Sequence, residues 1–290
     1  MIVDIRYHIA SLAAVFLALG LGILIGTSMI SSDAITQQQK KMIEGLEKEF
    51  TVLREENKVN ADALMQAQEV IANQQKFNES VLPVLVKGKL EGRKIAVIDI
   101  NYNKKHDGLL SALRSAGAEI QSVTVVNLGL LNDSSLSKQT AGMLGKDDPD
   151  PDEYLANLAK LLGEAVTTGA HSELIVFLDD TEIASVTGTY GHPLQDVIVI
   201  GGCNNKDEDY AKIFDLNLIK TLQKEGCTVY GTEDSDVEIS YMRHYQNVRL
   251  TTVDNIDTAH GQLALIQAMN GYPGHYGIKE TAESFLPPLQ

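Results

Sequence analysis

The sequence predicts an α/β protein: a single N-terminal transmembrane helix, a coiled-coil stalk, then a Rossmann-like domain with a mostly parallel sheet flanked by helices. Three observations predict it. An uncharged apolar run stands near the N-terminus, a heptad repeat follows, and beyond it short β-branched runs alternate with helical stretches.

From Ile9 to Ile30 no residue is charged and none is more polar than serine or threonine. At about 1.5 Å per residue the run is roughly 33 Å long, enough for a hydrocarbon core of about 30 Å. A cleaved signal peptide is the competing reading, but its apolar core spans only about 7–15 residues. Ala14, Ala18, Gly22 and Gly26 place small side chains on one face, as a helix–helix contact requires and as membrane-helix composition also produces. Residues 1–8 form a short tail whose Asp4 and Arg6 leave orientation undecided.

Residues 33–78 read as the coiled coil. There is no proline between Asp33 and Val81, and the only glycine is Gly45. The a and d positions are Ile43, Leu46, Phe50, Leu53, Asn57, Asn60, Leu64, Ala67, Ile71 and Gln74, and seven of these ten are apolar. Asn57 at an a position favours a parallel dimer in fixed register. A lone amphipathic helix packed on the distal domain is the alternative. Pro83, Gly88 and Gly92 end the helix and make a linker over residues 83–92.

The α/β domain covers residues 93–290. Strands are expected at Lys94–Ile100, Ile120–Val126, Leu174–Leu178, Val197–Ile200, Cys227–Tyr230 and Thr251–Val253. Helices are expected at Asp107–Ser115, Ser134–Leu144, from an Asp152 cap to Val166, at Tyr210–Lys224, and at Thr258–Met269 behind an Asp257 cap. An acidic loop, Asp147–Asp152, precedes the third helix. Strand, crossover helix, strand, repeated, implies a parallel sheet. The first strand is followed by no Gly-x-Gly-x-x-Gly and no phosphate-cradling loop, and the chain holds neither a Gly-x-Ser-x-Gly elbow nor His-Glu-x-x-His. The expectation is a protein that is not an enzyme. Gly201-Gly202 is either a tight turn or a point of close approach.

Twenty-four basic residues face 39 acidic ones, a net charge of −15, so nucleic acid is excluded as the main partner. The stalk carries −2 and the first 32 residues none, leaving −13 to the rest of the chain. Cys203 falls past the C-terminal end of one strand and Cys227 at the N-terminal start of another, opposite edges of a parallel sheet, which predicts two free thiols rather than a disulfide. Asp254, Asp257 and His260 form a D-x-x-D-x-x-H cluster that suits a metal only if all three converge. A cap and a solvated histidine explain the same residues. Cys203, His244 (with Met242), His260 and His275 are the candidate soft or imidazole ligands, each with a structural alternative.

Ile5-Arg-Tyr-His8, the run Ser11–Gly22, Asp254-Asn-Ile-Asp-Thr258, Gly261–Leu265, Gly274-His-Tyr-Gly277 and Leu286-Pro287 resemble the MctB copper transporter family. The resemblance implies a bitopic envelope protein of copper transport and copper homeostasis, with copper as a transported or bound ion. It brings no ligand set. One uncharged helix cannot line an aqueous pore unless many chains assemble, and the parallel α/β pattern is not a β-barrel. The expectation is therefore a single-pass membrane protein with its α/β domain extracytoplasmic, dimeric through the coiled coil and working with an envelope protein partner of unknown identity. The alternative is a non-catalytic structural or interaction module presenting an acidic α/β head.

Overall fold

The computed structural model describes residues 5–29, 32–102, 104–145 and 150–288. They fall into two units, one ending at Asn73 and the other beginning at Gln74. The first helix, α1, spans Ile5–Met29, and its stretch Ile5–Ser28 is long and apolar enough to cross a membrane, with none of it buried. Residues 5–8 of the expected short tail are thus helical, and Met1–Asp4 lie outside the described residues. The second helix, α2, runs Ser32–Val86. It continues through Pro83, where a linker was expected to begin. Proline removes only one backbone donor, and Val86, fully buried, anchors the last turn in the distal core. Along the upper helix the heptad residues Ile43, Leu46, Phe50, Leu53, Leu64 and Ile71 are all exposed.

The distal unit is a seven-stranded sheet in the order β3-β2-β1-β4-β5-β6-β7. Its strands are β1 Lys94–Asp99, β2 Glu119–Val126, β3 Ala184–Gly188, β4 Asp196–Gly201, β5 Thr228–Glu233, β6 Thr251–Val253 and β7 His275–Tyr276. All pairs are parallel except β2 with β3. The helices of this unit are α3 Asp107–Ser115, α4 Ser134–Met143, α5 Pro151–Thr168, α6 Ser172–Asp180, α7 Leu216–Lys224, α8 Met242–Asn247 and α9 Ala259–Met269. Strand residues alternate between two cores. Ala96, Ile98, Val197 and Val199 join Leu158, Leu162, Phe214 and Leu218 on one face; Ile95, Val97, Ile198 and Ile200 join Leu109, Leu113, Leu263 and Ile266 on the other. The mixed α/β architecture with a mostly parallel sheet is as expected.

Several elements differ. Ser172–Asp180, expected to hold a strand, is a helix: Leu174 and Leu178, four residues apart, are its buried positions, while Glu173, Asp179 and Asp180 are exposed. A short apolar run fits either period, and here the i, i+4 spacing decides. The edge strand β3, the two-residue β7 and the short α8 were not foreseen. The cap of α5 is Asp150, accepting from the Asp152 N–H, because Pro151 takes the first helical position. The cap of α9 is Thr258, whose hydroxyl accepts from Gly261, not Asp257. Of the acidic loop, residues 147–149 lie outside the described residues. Tyr210–Lys224 begins as a π-turn, Ala211–Asp215, before α7.

Candidate functional site

In an open parallel sheet the ligand crevice lies beyond the carboxyl ends of the strands, where the chain leaves one strand for helices on opposite faces. Here β2 and β4 flank β1, and that edge carries a set of buried charges. Asp99 ends β1, Glu233 ends β5, and Asp234 follows it; all three are at most 3% exposed. His106, just before α3, donates from Nδ1 to Asp99 Oδ2 and from Nε2 to Asp234 Oδ1, both at 2.9 Å. Burial opposes charge on the imidazole, yet the bonds to Asp234 and Asp99 prevail and raise it to about 10. At neutral pH His106 is an imidazolium held between two carboxylates. Burial raises the Asp99 carboxyl, with His106 opposing.

Lys279 reaches over the same edge, donating to Glu233 Oε1 at 2.8 Å and to the Asp234 carbonyl at 3.0 Å. Ser240 Oγ and the Tyr241 N–H complete Glu233, at 2.6 and 2.8 Å. Burial raises the Glu233 carboxyl against these partners. Asp254 accepts the N–H groups of Ile278 and Lys279 at 2.7 and 2.9 Å. The 278–279 segment therefore straps the edge.

A crevice opens beside this cluster between Asn101, Asn127, Gly202, Cys203, Tyr210 and Tyr241. Its free volume is about 40 Å³, room for water or a small ion; small-molecule sites usually occupy about 300 Å³ or more. Beneath it Tyr245 donates to Asp215 in a fully buried pair. Burial raises the Asp215 carboxyl to about 7, with the Tyr245 bond opposing. Gly201 makes that pair possible. A Cβ there would stand 1.9 Å from the Tyr245 hydroxyl, so the close-approach reading applies, while Gly202 at φ +85° supplies the turn.

The candidate ligands do not converge. Cys203 is buried beside the crevice, its Sγ 3.3 Å from the Asn205 carbonyl, and burial pushes its thiol up despite Tyr241. His244 is half-buried on α8 next to buried Met242. His260, in the first turn of α9, packs on the Phe285 ring at 4.9 Å, and burial lowers it with Asp257 opposing. His275 on β7 bonds Thr252 Oγ1 at 3.0 Å. Asp257 accepts from the Ser235 N–H and hydroxyl, so Asp254, Asp257 and His260 are each otherwise engaged. Among the described residues no group of three or more His, Cys, Asp or Glu could hold a metal ion. Cys203 and Cys227 are both free and buried, as expected.

A family model described as copper transport outer membrane protein, MctB, matches residues 1–287. The chain belongs to the MctB family. No curated protein matches it. MctB membership makes this a copper-transport-related envelope protein, with one N-terminal helix apolar enough for a membrane. The carboxylates of this MctB sheet edge are hard donors that suit Mg²⁺ or Ca²⁺ better than Cu(I). His106 and Lys279 already neutralise two of them. Sequence reasoning singled out none of Asp99, His106, Glu233, Asp234 or Lys279 as site residues. The available signal was three carboxylates ending apolar strands: KIAVID, and TVYGTE with the aspartate after it.

Proposed function

We propose that this chain is a single-pass membrane protein of the cell envelope that supports copper export, with an extracytoplasmic Rossmann-like head on a dimeric coiled-coil stalk. Copper is cargo of the assembly, and the head is a non-catalytic element of it. The observation that carries this reading is the family match along nearly the whole chain. Two others agree with it. Among the described residues one exposed helix is apolar enough to cross a membrane, too little to form a pore alone. The sheet edge, where a cofactor or substrate would sit, is strapped by Lys279, and the crevice beside it is small.

Deletion of the chain in its native cell, grown with added copper, tests it. Cell-associated copper is expected to rise, and to return to the parental level with the full chain but not with a chain lacking residues 5–28. Unchanged copper content in the deletion strain would refute the reading. A second reading, a docking module with no part in copper handling, is favoured by the separation of Cys203, His244, His260 and His275. It predicts that deletion leaves copper unchanged while crosslinking in intact membranes recovers one envelope protein through the head.

A further inference from the structure

The heptad phase that begins at Ile43 runs on to the end of α2. Upstream its g positions include the charged residues Glu49 and Glu56; the last three are Val70, Phe77 and Val84. Phe77 is 60% and Val84 74% exposed, although both belong to the turns that join the distal unit. The other side of the same turns, bearing Gln75 and Leu82 at e positions and Asn78 at a, forms one wall of an open groove. Ser111 of α3 and His260 of α9 line the facing wall.

In a parallel coiled coil, a g side chain of one helix meets the e side chain five residues further along the other. Phe77 of a second copy therefore falls on Leu82 and into the groove. The same offset places Glu49 opposite Arg54, an attractive pair made twice, and sets Asn57 against Asn57. This charge and amide complementarity points to a second copy in register as the occupant. We infer that two chains pair along α2 in parallel and that each seats its Phe77 in the groove between the partner copy's α2, α3 and α9. The inference rests on the dimeric coiled-coil reading above and adds the head to its interface.

Disulfide trapping of the full chain in mild detergent separates the two. N57C reports stalk pairing alone. For the groove, a chain carrying F77C is mixed with one carrying S111C, and in parallel with one carrying S172C, an exposed site on α6. Wild-type chain gives the background, since Cys203 and Cys227 are buried. The expected result is an N57C dimer, together with an F77C–S111C link at least tenfold more abundant than F77C–S172C. If N57C links but F77C prefers neither site, the groove seating is overturned and the coiled coil stands. If N57C fails to link and light scattering finds a monomer, both fall.

Discussion

Replacing His106 by glutamine removes the cation that joins Asp99 at the end of β1 to Asp234 after β5. Its side chain is 6% exposed, and its carboxylate partners 5% and 1%. The rise from 6.5 to about 10 corresponds to about 5 kcal/mol of preference for the charged ring in the folded state, at about 1.4 kcal/mol per pH unit. The net loss on substitution is smaller, because burying the ions has already cost free energy; deleting one member of a buried ionic group costs about 3–5 kcal/mol. Glutamine is uncharged and carries its donors on a single nitrogen, whereas His106 reaches Asp99 and Asp234 from two separate ring nitrogens. The sign with pH follows from a folded value above the unfolded one. The contribution of His106 is complete below pH 6.5 and is lost as pH climbs through 10. H106Q is therefore expected to be about 3–5 kcal/mol less stable at pH 6, with the deficit shrinking steadily toward pH 10. Urea unfolding of the full chain in detergent, followed by near-UV circular dichroism of its ten tyrosines, measures both arms. A deficit of the same size at pH 6 and pH 10, or one under about 1 kcal/mol at pH 6, would refute the imidazolium assignment.

Two further outcomes follow from the pair beneath the crevice. Asp215 has its folded value raised to about 7, so its contribution to stability falls as pH rises from about 4 to 7; D215N, which keeps a partner for Tyr245, is expected to be more stable than wild type at pH 8 by at least about 1 kcal/mol and to lose that advantage at pH 5, read by the same urea titrations. G201A sets a Cβ 1.9 Å from the Tyr245 hydroxyl and 3.0 Å from Asp215 Oδ2, and is expected to cost about 3 kcal/mol or more and to lower the thermal midpoint; an unchanged midpoint would mean that the Tyr245–Asp215 pair is not where it is described.

The elements legible in the sequence were those whose local signals agree with their tertiary surroundings. Asp107–Ser115 and Thr251–Val253 fall where expected because a glycine or a β-branched run marks each, and burial reinforces the mark. The helix at Ser172–Asp180 failed this test from sequence. Its Leu-Ile-Val-Phe-Leu run has strong strand propensity, and only its buried Leu174 and Leu178 reveal the helical period. β3 escaped notice because its Ala-Ser-Val-Thr-Gly is a half-exposed edge, and β7 because two residues carry no periodicity.

The site was legible by halves, and the missing half alters what the charge means. Carboxylates ending buried strands can be read locally: Asp99 in one strand, Glu233 and Asp234 in another. Their partners cannot. Asp234 meets His106 across 128 residues and Glu233 meets Lys279 across 46, and neither basic residue stands in a pattern that announces its role. Once these contacts are known, part of the −13 assigned to the distal region from composition no longer describes a surface. Asp99, Asp196, Asp215, Glu233, Asp234 and Asp254 are all buried, and Arg93, His106 and Lys279 are held beside four of them. Asp215, with its value near 7, carries only part of a charge at neutral pH. Most of the region's 30 acidic side chains are not among these six, so the attraction of the head for cations, copper included, is set by the carboxylates that remain exposed. Such a field is screened within about 10 Å at 0.1 M salt and does not select one metal from another. For the proposed role in copper export, selectivity would need donors beyond the His, Cys, Asp and Glu groups that the described residues of one chain gather.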